Sequence, residues 1–459
     1  MHVLLIHQVF ASPSEAGGTR HFELLSRLIK YRHRATVVAS NLSYLSGQSV
    51  VGGKKWVTEQ DLHGIRVLRA YTYPSMHRSF VWRVISFLSF TATAVWAGWK
   101  AGRVDVVMGT SPPLTQPLSA WIISVLRRRP FLLEIRDLWP EFAIDMGVLR
   151  NPALIWLARR LEIFLYRRAT HLLVNSPAYR DYLISKGVSP QKVSLIANGV
   201  DPTLFDPAAE GREVRNEFRL NNKFVVVYAG AIGLANDIGT LLDAADLLRD
   251  DEPQIHFLLA GDGKERPRMQ SQASQRGLNN VTFTGAIPKS RMPEVLAAAD
   301  VCVAILKNIP MFTTTYPNKV FDYMAAGRSI VLSIDGVIRE VVETAESGIF
   351  AQPGDPESLA IAIRKLHSNR GEARQMGLRG RRYVERYFHR HRQAEHFVEL
   401  ISRLVNGCYF APVDSQNDCK LSADELPACK QGSHFSTLPQ VGAPSAEVIS
   451  PDSIRHVAD

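Results

Sequence analysis

Lys319 and Asp322 are the two residues whose types and spacing point most directly to chemistry. They lie three positions apart in a short helical pattern, so their side chains project from the same side of a helix. A carboxylate can accept hydrogen bonds from two adjacent hydroxyl groups, such as those of a ribose. A lysine offers a compact positive charge to a phosphate. A simpler explanation is also open, in which Asp322 complements the helix dipole and Lys319 is only solvated.

The elements around this pair predict where it lies. Residues 301–306 and 330–333 are apolar runs typical of buried strands. Between them, Pro317 and Asn318 are a helix-start signal and Gly327 is a stop signal. A strand, a loop and a helix in this order form one arm of an α/β crevice, and ligands of open parallel sheets bind outside the carboxyl ends of the strands.

Strand and helix patterns alternate along the chain, which predicts an α/β fold with parallel sheets and right-handed crossovers. Further strands are predicted at residues 3–6, 35–39, 104–108, 131–135, 172–175, 193–196, 224–228, 255–260 and 281–283. Helices are predicted at residues 20–31, 80–99, 240–248, 291–299, 318–327, 357–366 and 380–404. The 459 residues suffice for two or three domains.

Positive charge is concentrated in the first part of the chain. Residues 1–200 contain 25 Lys and Arg against 11 Asp and Glu, whereas residues 201–405 contain 26 of each. This imbalance implies an anionic partner, which could be membrane lipid, lipid phosphate or nucleic acid. Residues 84–99 carry no charge, but a spanning helix needs about 20 apolar residues, so we expect a core or interfacial helix there.

Neither cysteines nor carboxylates suggest a metal site. Cys302, Cys408, Cys419 and Cys429 lack ligand spacing, and no Asp-x-Asp pair occurs in the sequence. We therefore expect no metal and no other cofactor. The cysteine usage is typical of a reducing cytoplasm, and the apolar run at residues 3–6 is shorter than the roughly 7–15 residues of a secretory signal.

Two motifs carry a resemblance to a known family. The run Pro-Asn-Lys-Val-Phe-Asp-Tyr-Met-Ala-Ala-Gly occupies residues 317–327. Asn-Gly-Val-Asp occupies residues 198–201, and Phe205 lies four residues after its aspartate. They resemble the retaining glycosyltransferases of family four, which have the GT-B fold. The first run is most similar to that of amino-sugar transferases in bacterial surface-polysaccharide assembly. The resemblance extends from residue 1 to about residue 405.

The resemblance implies two Rossmann-like parallel-sheet domains facing a central cleft. Residues 1–205 would form an acceptor- and membrane-facing domain, and residues 206–379 a nucleotide-sugar domain. Residues 380–407 would form a helix that packs back on the first domain. Residues 408–459, where periodicity ends and polar residues and proline accumulate, are predicted to be a disordered tail. We expect truncation after Gly407 to leave folding largely intact.

The resemblance also assigns candidate site residues. Asp322 occupies the position of the carboxylate that holds the donor ribose in the family. Asp137 follows the predicted strand 131–135, where the family often has His-Asp and this chain has Arg136 before the aspartate, and it is a candidate catalytic residue; capping of the turn before Pro140 is the structural alternative. Other predicted donor contacts are Gly17, Gly18, Asn198, Gly263, Gly285 and Ile287.

Two departures from the family concern charge. The family's first acidic residue would fall at Thr314, and residues 230–239 lack the Arg and Lys that hold the donor diphosphate. The candidate replacements are Lys264, to which we assign a catalytic role, Arg266 and Lys319. We still expect an active enzyme because these cations lie on loops of the correct domain.

The predicted function is transfer of a sugar, in particular an acetamido sugar, from a UDP-sugar to a polyprenyl-diphosphate-linked glycan acceptor, with retention. This would serve O-antigen or capsule assembly at the cytoplasmic, inner face of the plasma membrane, with peripheral binding to anionic lipid and no nucleic acid. A nucleotide-sugar epimerase on the same architecture is the alternative enzyme. A nucleic-acid-binding protein or a catalytically silent partner protein are the non-enzymatic alternatives.

Overall fold

The computed structural model has two parallel-sheet α/β domains that face each other across a cleft, as the sequence predicts. It describes residues 1–11, 18–42, 49, 56–74, 80–409 and 412–415. Residues 1–415 belong to one unit in which helices from the end of the chain pack on both domains.

The first domain is built on a sheet of eight strands within the described residues, in the order β3-β4-β2-β1-β5-β6-β7-β8. All neighbouring strands are parallel except β3 and β4. The strands are β1 (His2–Ile6), β2 (Arg34–Ser40), β3 (Val57–Leu62), β4 (Ile65–Ala70), β5 (Val106–Ser111), β6 (Phe131–Ile135), β7 (His171–Val174) and β8 (Val193–Leu195). The central strands are mainly apolar because helices cover both faces of the sheet.

The β3–β4 hairpin was missed by the sequence analysis. Its two-residue turn consists of His63 and Gly64, whose φ angles are 55° and 84°. A turn with two positive φ values matches the twist of antiparallel strands. The Gly after a polar residue, between two short alternating runs, was the available signal.

Six helices are described in the first domain, and three of them form a continuous layer. The helices are α1 (Arg20–Lys30), α2 (Phe80–Trp99), α3 (Thr115–Arg127), α4 (Glu141–Asp145), α5 (Pro152–Arg168) and α6 (Pro177–Ser185). In the layer, α3 lies between α2 and α5. Helix α2 has the predicted bounds, and no helix in the described part of the chain is long and apolar enough to cross a membrane.

The second domain has a parallel sheet of six strands within the described residues, in the order β11-β10-β9-β12-β13-β14. The strands are β9 (Phe224–Ala229), β10 (Ile255–Ala260), β11 (Val281–Gly285), β12 (Val301–Ile305), β13 (Ser329–Ser333) and β14 (Gly348–Phe350). The helices are α7 (Arg212–Glu217), α8 (Ile238–Arg249), α9 (Arg266–Gln275), α10 (Met292–Ala297), α11 (Asn318–Ala325), α12 (Val337–Thr344) and α13 (Pro356–Ser368). The strand order reverses between β9 and β12, and such a reversal opens a binding crevice.

The helical pattern predicted at residues 380–404 is two helices, α14 (Arg370–Tyr387) and α15 (Arg390–Val405). Helix α14 packs on α11, whereas α15 packs on α1 in the first domain. The break occurs because the backbone there bonds to the domain junction. The Val200 amide donates to the Phe388 carbonyl (3.0 Å), and the Arg390 amide donates to the Val200 carbonyl (2.9 Å). Periodicity alone cannot detect a break imposed by hydrogen bonds to a distant segment.

The packed chain extends past residue 407, so the tail boundary predicted at residue 408 is too early. The Leu195 amide donates to the Val413 carbonyl (3.0 Å), and the Ser415 amide donates to the Leu195 carbonyl (2.9 Å). Val413 is buried, and Asp414 forms an ion pair with Arg180 (2.7 Å). Residues 412–415 therefore extend the sheet edge at β8. The sequence could not predict this, because four residues are too few to show a periodic pattern.

A chain ending at Gly407 should be less stable than one ending at Gln416, contrary to the expectation from sequence. Loss of the buried Val413 side chain and the β8 contacts should lower the free energy of unfolding by about 1–3 kcal/mol. Denaturant unfolding of the two truncated proteins measures the difference. Equal midpoints would show that the contacts of residues 412–415 add nothing to stability.

Candidate functional site

Two cavities meet in the cleft between the domains. The α11 cavity, of about 290 Å³, lies between α1, α10, α11 and α15, and the α2 cavity, of about 620 Å³, extends from the cleft toward α2. Residues that line both are Gly18, Arg20, Asn198 and Asn318. The two cavities therefore form adjacent compartments of one site at the carboxyl ends of the strands.

Lys319 projects its amine from the first turn of α11 into the α11 cavity. The Nζ atom donates to the Tyr228 hydroxyl (3.0 Å) and to the Asn236 side-chain oxygen (3.2 Å), and it lies 4.1 Å from the centre of the Tyr228 ring. Both bonding partners are neutral, and no ion pair involving Lys319 occurs in the described part of the chain. Burial lowers the pKa of this amine to about 7. An anion entering the cavity would restore its charge.

The loop after β9 is shaped to admit this amine. A Cβ atom added at Gly230 would lie 3.0 Å from the Lys319 Nζ atom, so glycine leaves the room that the lysine occupies. The sequence lacks loop cations at residues 230–239. The structure thus brings a cation to this loop from α11 instead.

Asp322 lines the same cavity one helical turn after Lys319. Burial raises the pKa of its carboxyl, and Arg390 and Lys289 oppose this rise without cancelling it. Such a carboxylate is poised to accept hydrogen bonds from neutral hydroxyl groups of a ligand.

Arg390 and Lys289 connect the two domains beside Asp322, and neither was predicted from the sequence. The Arg390 guanidinium forms an ion pair with Glu23 of α1 (2.7 Å) and donates to the Gly199 carbonyl (2.9 Å). The Lys289 amine donates to the Thr19 hydroxyl. Only the long-range fold brings these residues together, since no spacing in the sequence relates them.

A buried ion pair fixes the start of α1 against the first sheet. The Arg20 guanidinium bonds to the Glu134 carboxylate (3.0 Å) and to the Ile196 carbonyl (2.7 Å). His21 donates to the other Glu134 oxygen. Burial alone would raise the pKa of Glu134, but His21 and Arg20 hold it well below its usual range. The ion pair thereby positions Gly18 and Arg20, which line both cavities.

Asp137 lies in the α2 cavity, at the end of β6. Burial raises the pKa of its carboxyl to about 6, although the neighbouring Arg136 acts in the opposite direction. The rest of the lining is largely apolar, with Val84, Phe87, Trp139, Phe142, Met146, Val148 and Phe312 among its residues. A partly desolvated carboxyl in an apolar cavity is a common property of functional sites.

The other predicted site residues fall into two groups. Asn198 lines both cavities and donates from its side-chain amide to the Tyr316 carbonyl (3.0 Å), and Gly18 lines both as well. Gly17 lies outside the described residues. The second group lines neither cavity: Lys264, Gly263, Arg266, Gly285 and Ile287.

The second group has structural contacts of its own. A Cβ atom at Gly263 would lie 2.4 Å from the Ile232 carbonyl oxygen, so glycine there allows two loops to touch. Arg266 pairs with Asp262 (3.0 Å), and Lys264 is exposed. Lys319 is thus the one of the three candidate diphosphate cations that lines the α11 cavity.

Thr314, at the position of the family's first acidic residue, lines neither cavity. Its hydroxyl donates to the Met311 carbonyl (2.6 Å) within a 3₁₀ turn at Pro310–Thr314. Among the described residues, no group of three His, Cys, Asp or Glu side chains is arranged to hold a metal ion.

Comparison with known proteins decides the family. Residues 16–199 match the model of the glycosyl transferase 4-like domain, and residues 223–369 match the model of glycosyl transferases group 1. The chain belongs to glycosyltransferase family four. The first segment spans β2 to β8 and the second spans β9 to β14, so this glycosyltransferase matches the family in both domains.

Named relatives are distant. The chain is 23% identical over 374 residues to WcaI of Escherichia coli, a putative colanic acid biosynthesis glycosyl transferase, covering 79% of this chain and 91% of that protein. It is 24% identical to the alpha-D-kanosaminyltransferase of Streptomyces kanamyceticus, over 46% of this chain and 54% of that protein. The chain thus spans nearly all of WcaI but about half of the second relative.

Solved structures show the same fold. Sucrose-phosphate synthase of Thermosynechococcus elongatus superposes with a TM-score of 0.70 at 20% identity, covering 88% of this chain and 99% of that one. HepE of Anabaena in complex with UDP-glucose superposes with a TM-score of 0.66 at 20% identity, covering 88% and 99%. The predicted GT-B fold is therefore confirmed.

The raised pKa of Asp137 predicts a pH-dependent effect on stability. An aspartate with a folded-state pKa of about 6 and an unfolded-state pKa near 4 destabilises the fold increasingly as pH rises between these values. Asp137→Asn should raise the free energy of unfolding by about 1–2 kcal/mol at pH 8, with partial exposure taken into account, and by little near pH 4.

Thermal unfolding of the wild type and Asp137→Asn across this pH range measures the effect, and Asp145→Asn on α4 serves as a control. A constant difference at all pH values would contradict the burial of an ionisable Asp137.

Proposed function

We propose that this glycosyltransferase moves a sugar, with retention, from a UDP-sugar to a polyprenyl-diphosphate-linked glycan acceptor. The observation that carries the proposal is the Lys319 amine, which is buried in the cleft beside Asp322 with only neutral hydrogen-bond partners among the described residues. A nucleotide diphosphate supplies both groups that this pair lacks, namely phosphate charge for the lysine and ribose hydroxyls for the aspartate.

The α11 cavity is the proposed donor compartment. The donor diphosphate would lie between Lys319 and the loop at Gly230, both of which line this cavity. Asp322 would accept hydrogen bonds from the ribose. HepE of Anabaena has been solved in complex with UDP-glucose, which supports a UDP-sugar as the donor of this chain.

The chemistry needs stabilisation of a leaving group. The bond between the sugar C1 and the diphosphate oxygen breaks with its electron pair going to the diphosphate, and the acceptor hydroxyl oxygen bonds to C1 on the same face. The acceptor proton leaves on the diphosphate. A charged Lys319 beside that diphosphate stabilises the charge as it develops, so we propose that no metal ion is required.

The α2 cavity is the proposed acceptor compartment. Its lining is mostly apolar, and it joins the donor compartment at Gly18, Arg20, Asn198 and Asn318. The apolar lining suits the prenyl units of a lipid-linked acceptor that lie next to its diphosphate. Asp137, ionised above about pH 6, would accept a hydrogen bond from a sugar hydroxyl and orient it.

The cell location and product are part of the same proposal. A lipid-linked acceptor places the reaction at the inner face of the plasma membrane, where anionic lipid would attract the basic first domain. The description of WcaI as a colanic acid biosynthesis enzyme and the 317–327 run support surface-polysaccharide assembly and an acetamido sugar. Screening UDP-sugars for UDP release with a polyprenyl-diphosphate-linked acceptor tests the sugar and the acceptor together.

Asp322→Ala should weaken UDP-sugar binding by about 1–3 kcal/mol, because the ribose hydroxyls lose their acceptor. Asp322→Glu should retain part of the affinity, and Asp335→Ala, in the loop after β13 and outside both cavities, should retain all of it. Calorimetric titration with the best UDP-sugar measures the three dissociation constants. Wild-type affinity in a folded Asp322→Ala protein would refute the ribose assignment.

Turnover should persist in excess chelator and should fall at least about 100-fold in Lys319→Met, because the lysine replaces the charge that a metal ion would bring. Lys264→Ala tests the earlier assignment in parallel; its exposed position outside both cavities predicts nearly normal activity. UDP release in the presence of acceptor is the measurement. Activity lost with chelator and restored by magnesium or manganese would overturn the metal-free mechanism.

A further inference from the structure

Helix α2 exposes a stripe of large apolar side chains. Trp82, Ile85, Leu88, Trp96 and Trp99 follow one another at three- to four-residue intervals, apart from one step through Ala92, and each is more than a third exposed. The opposite side of α2 is buried against the sheet through Phe90, Ala94 and Ala97. Helix α2 is thus apolar on both its inner and its outer face.

The neighbouring helices extend this exposed surface. Val125 and Leu126 of α3 are exposed by 56% and 57%, and Trp156 and Leu157 of α5 by 60% and 57%. The helices touch directly: the Arg127 guanidinium donates to the Trp99 carbonyl, and the rings of Trp121 and Phe164 lie 4.8 Å apart. The exposed faces of α2, α3 and α5 therefore form one surface, which we call the tryptophan face.

The charge on these helices is of one sign. Helices α2, α3 and α5 contain a single acidic residue, Glu162, and its side chain is fully buried. Basic side chains lie over the exposed tryptophans, with Lys100 5.1 Å from the Trp96 ring, Arg127 5.1 Å from Trp99 and Arg160 5.4 Å from Trp156. Tryptophan beside arginine or lysine is the composition of protein segments at a membrane surface.

We propose that the tryptophan face is a membrane-docking surface that inserts its tryptophans and leucines into the interfacial region of a bilayer containing anionic lipid. The cations would remain at the level of the lipid phosphates. This surface deepens the proposed function. It rests on that function in one respect: a lipid-linked acceptor requires the enzyme to work at a membrane.

Charge complementarity selects the bilayer among possible occupants. A second copy docking through the same face would place like charges against each other, which is unfavourable. A bilayer offers anionic headgroups for the arginines and an apolar layer for Leu88 and Leu157, which a polar partner such as nucleic acid would not.

Helix α2 also links the surface to the site, because Val84 and Phe87 line the α2 cavity. A lipid-linked acceptor could therefore pass from the bilayer to the cleft along one helix.

The test uses the full chain and vesicles of phosphatidylcholine, with and without about 30% phosphatidylglycerol. The triple variant Trp96→Ala, Trp99→Ala and Trp156→Ala removes the exposed rings. The matched control, Leu247→Ala with Ile361→Ala, removes exposed apolar side chains from α8 and α13 in the second domain. Sedimentation with vesicles at about 0.1 M and 0.5 M salt separates electrostatic attraction, which salt screens, from the insertion of apolar side chains, which salt does not screen.

The wild type and the control should bind the anionic vesicles, more weakly at high salt but still measurably, since insertion of tryptophan is not screened. The triple variant should lose at least about tenfold in partition coefficient at both salt concentrations. Equal binding by the triple variant, or no binding by the wild type, would overturn the proposal. A wild-type dimer without lipid that the triple variant dissociates would show instead that the face joins two copies.

UDP-sugar binding by the same proteins in the absence of lipid separates this proposal from the proposed reaction. The triple variant should bind the donor as the wild type does, because its substitutions lie outside the α11 cavity. Normal donor binding without vesicle binding would refute the docking surface alone. Vesicle binding without donor binding would refute the proposed reaction alone.

Discussion

The site depends on one electrostatic constraint, a lysine amine buried without a carboxylate partner. Removing a cation from water is unfavourable unless an opposite charge or strong hydrogen bonds replace the lost hydration. Lys319 has two neutral oxygen atoms and the face of Tyr228, and its pKa falls to about 7 as a consequence. In the proposed function, the diphosphate of the donor offsets this cost by supplying the missing negative charge. A structural lysine would pair with Asp322, which is one turn away and faces cations of other elements instead.

The remaining architecture holds that amine opposite the first domain. The reversal of strand order between β9 and β12 opens the crevice into which α11 points. Helix α15 crosses back to α1, and Arg390 at its start contacts Glu23 and Gly199. The buried Glu134 ion pair fixes the start of α1, so that the two faces of the cleft are set by a few hydrogen-bonded charges.

Much of the fold could be predicted because its signals are local. The buried strands at residues 131–135 and 255–260 and helix α2 have the predicted bounds, since apolar runs and helical periodicity depend on nearby residues alone. The β3–β4 hairpin and the junction between α14 and α15 were missed because a turn with positive φ values and a backbone bond to Val200 decide them. The weak alternation of apolar and polar residues in β3 and β4, and hydrogen bonds between residues far apart in the chain, leave little trace in the local sequence.

The candidate site was predictable only in part. Lys319, Asp322 and Asp137 stand on recognisable strand–loop–helix units and line the cavities. Lys264 and Arg266 stand on a similar unit but line neither cavity: Lys264 is exposed, and Arg266 pairs with Asp262. Arg390 and Lys289 reach the site only through the docking of the two domains. The tryptophan face has a related origin, since the sequence showed the apolar length of α2 but not which of its sides remains exposed.

The most direct test of the account is the pKa of the Lys319 amine, measured by NMR on protein with isotopically labelled lysine, with Lys319→Met used to assign the signal. A UDP-sugar carries no phosphate group that titrates near neutral pH, so any change on adding it reports on the lysine. We expect a pKa of about 7 in the free protein and a marked rise when the UDP-sugar is bound. A pKa near the ordinary value of lysine, unchanged by the UDP-sugar, would contradict it.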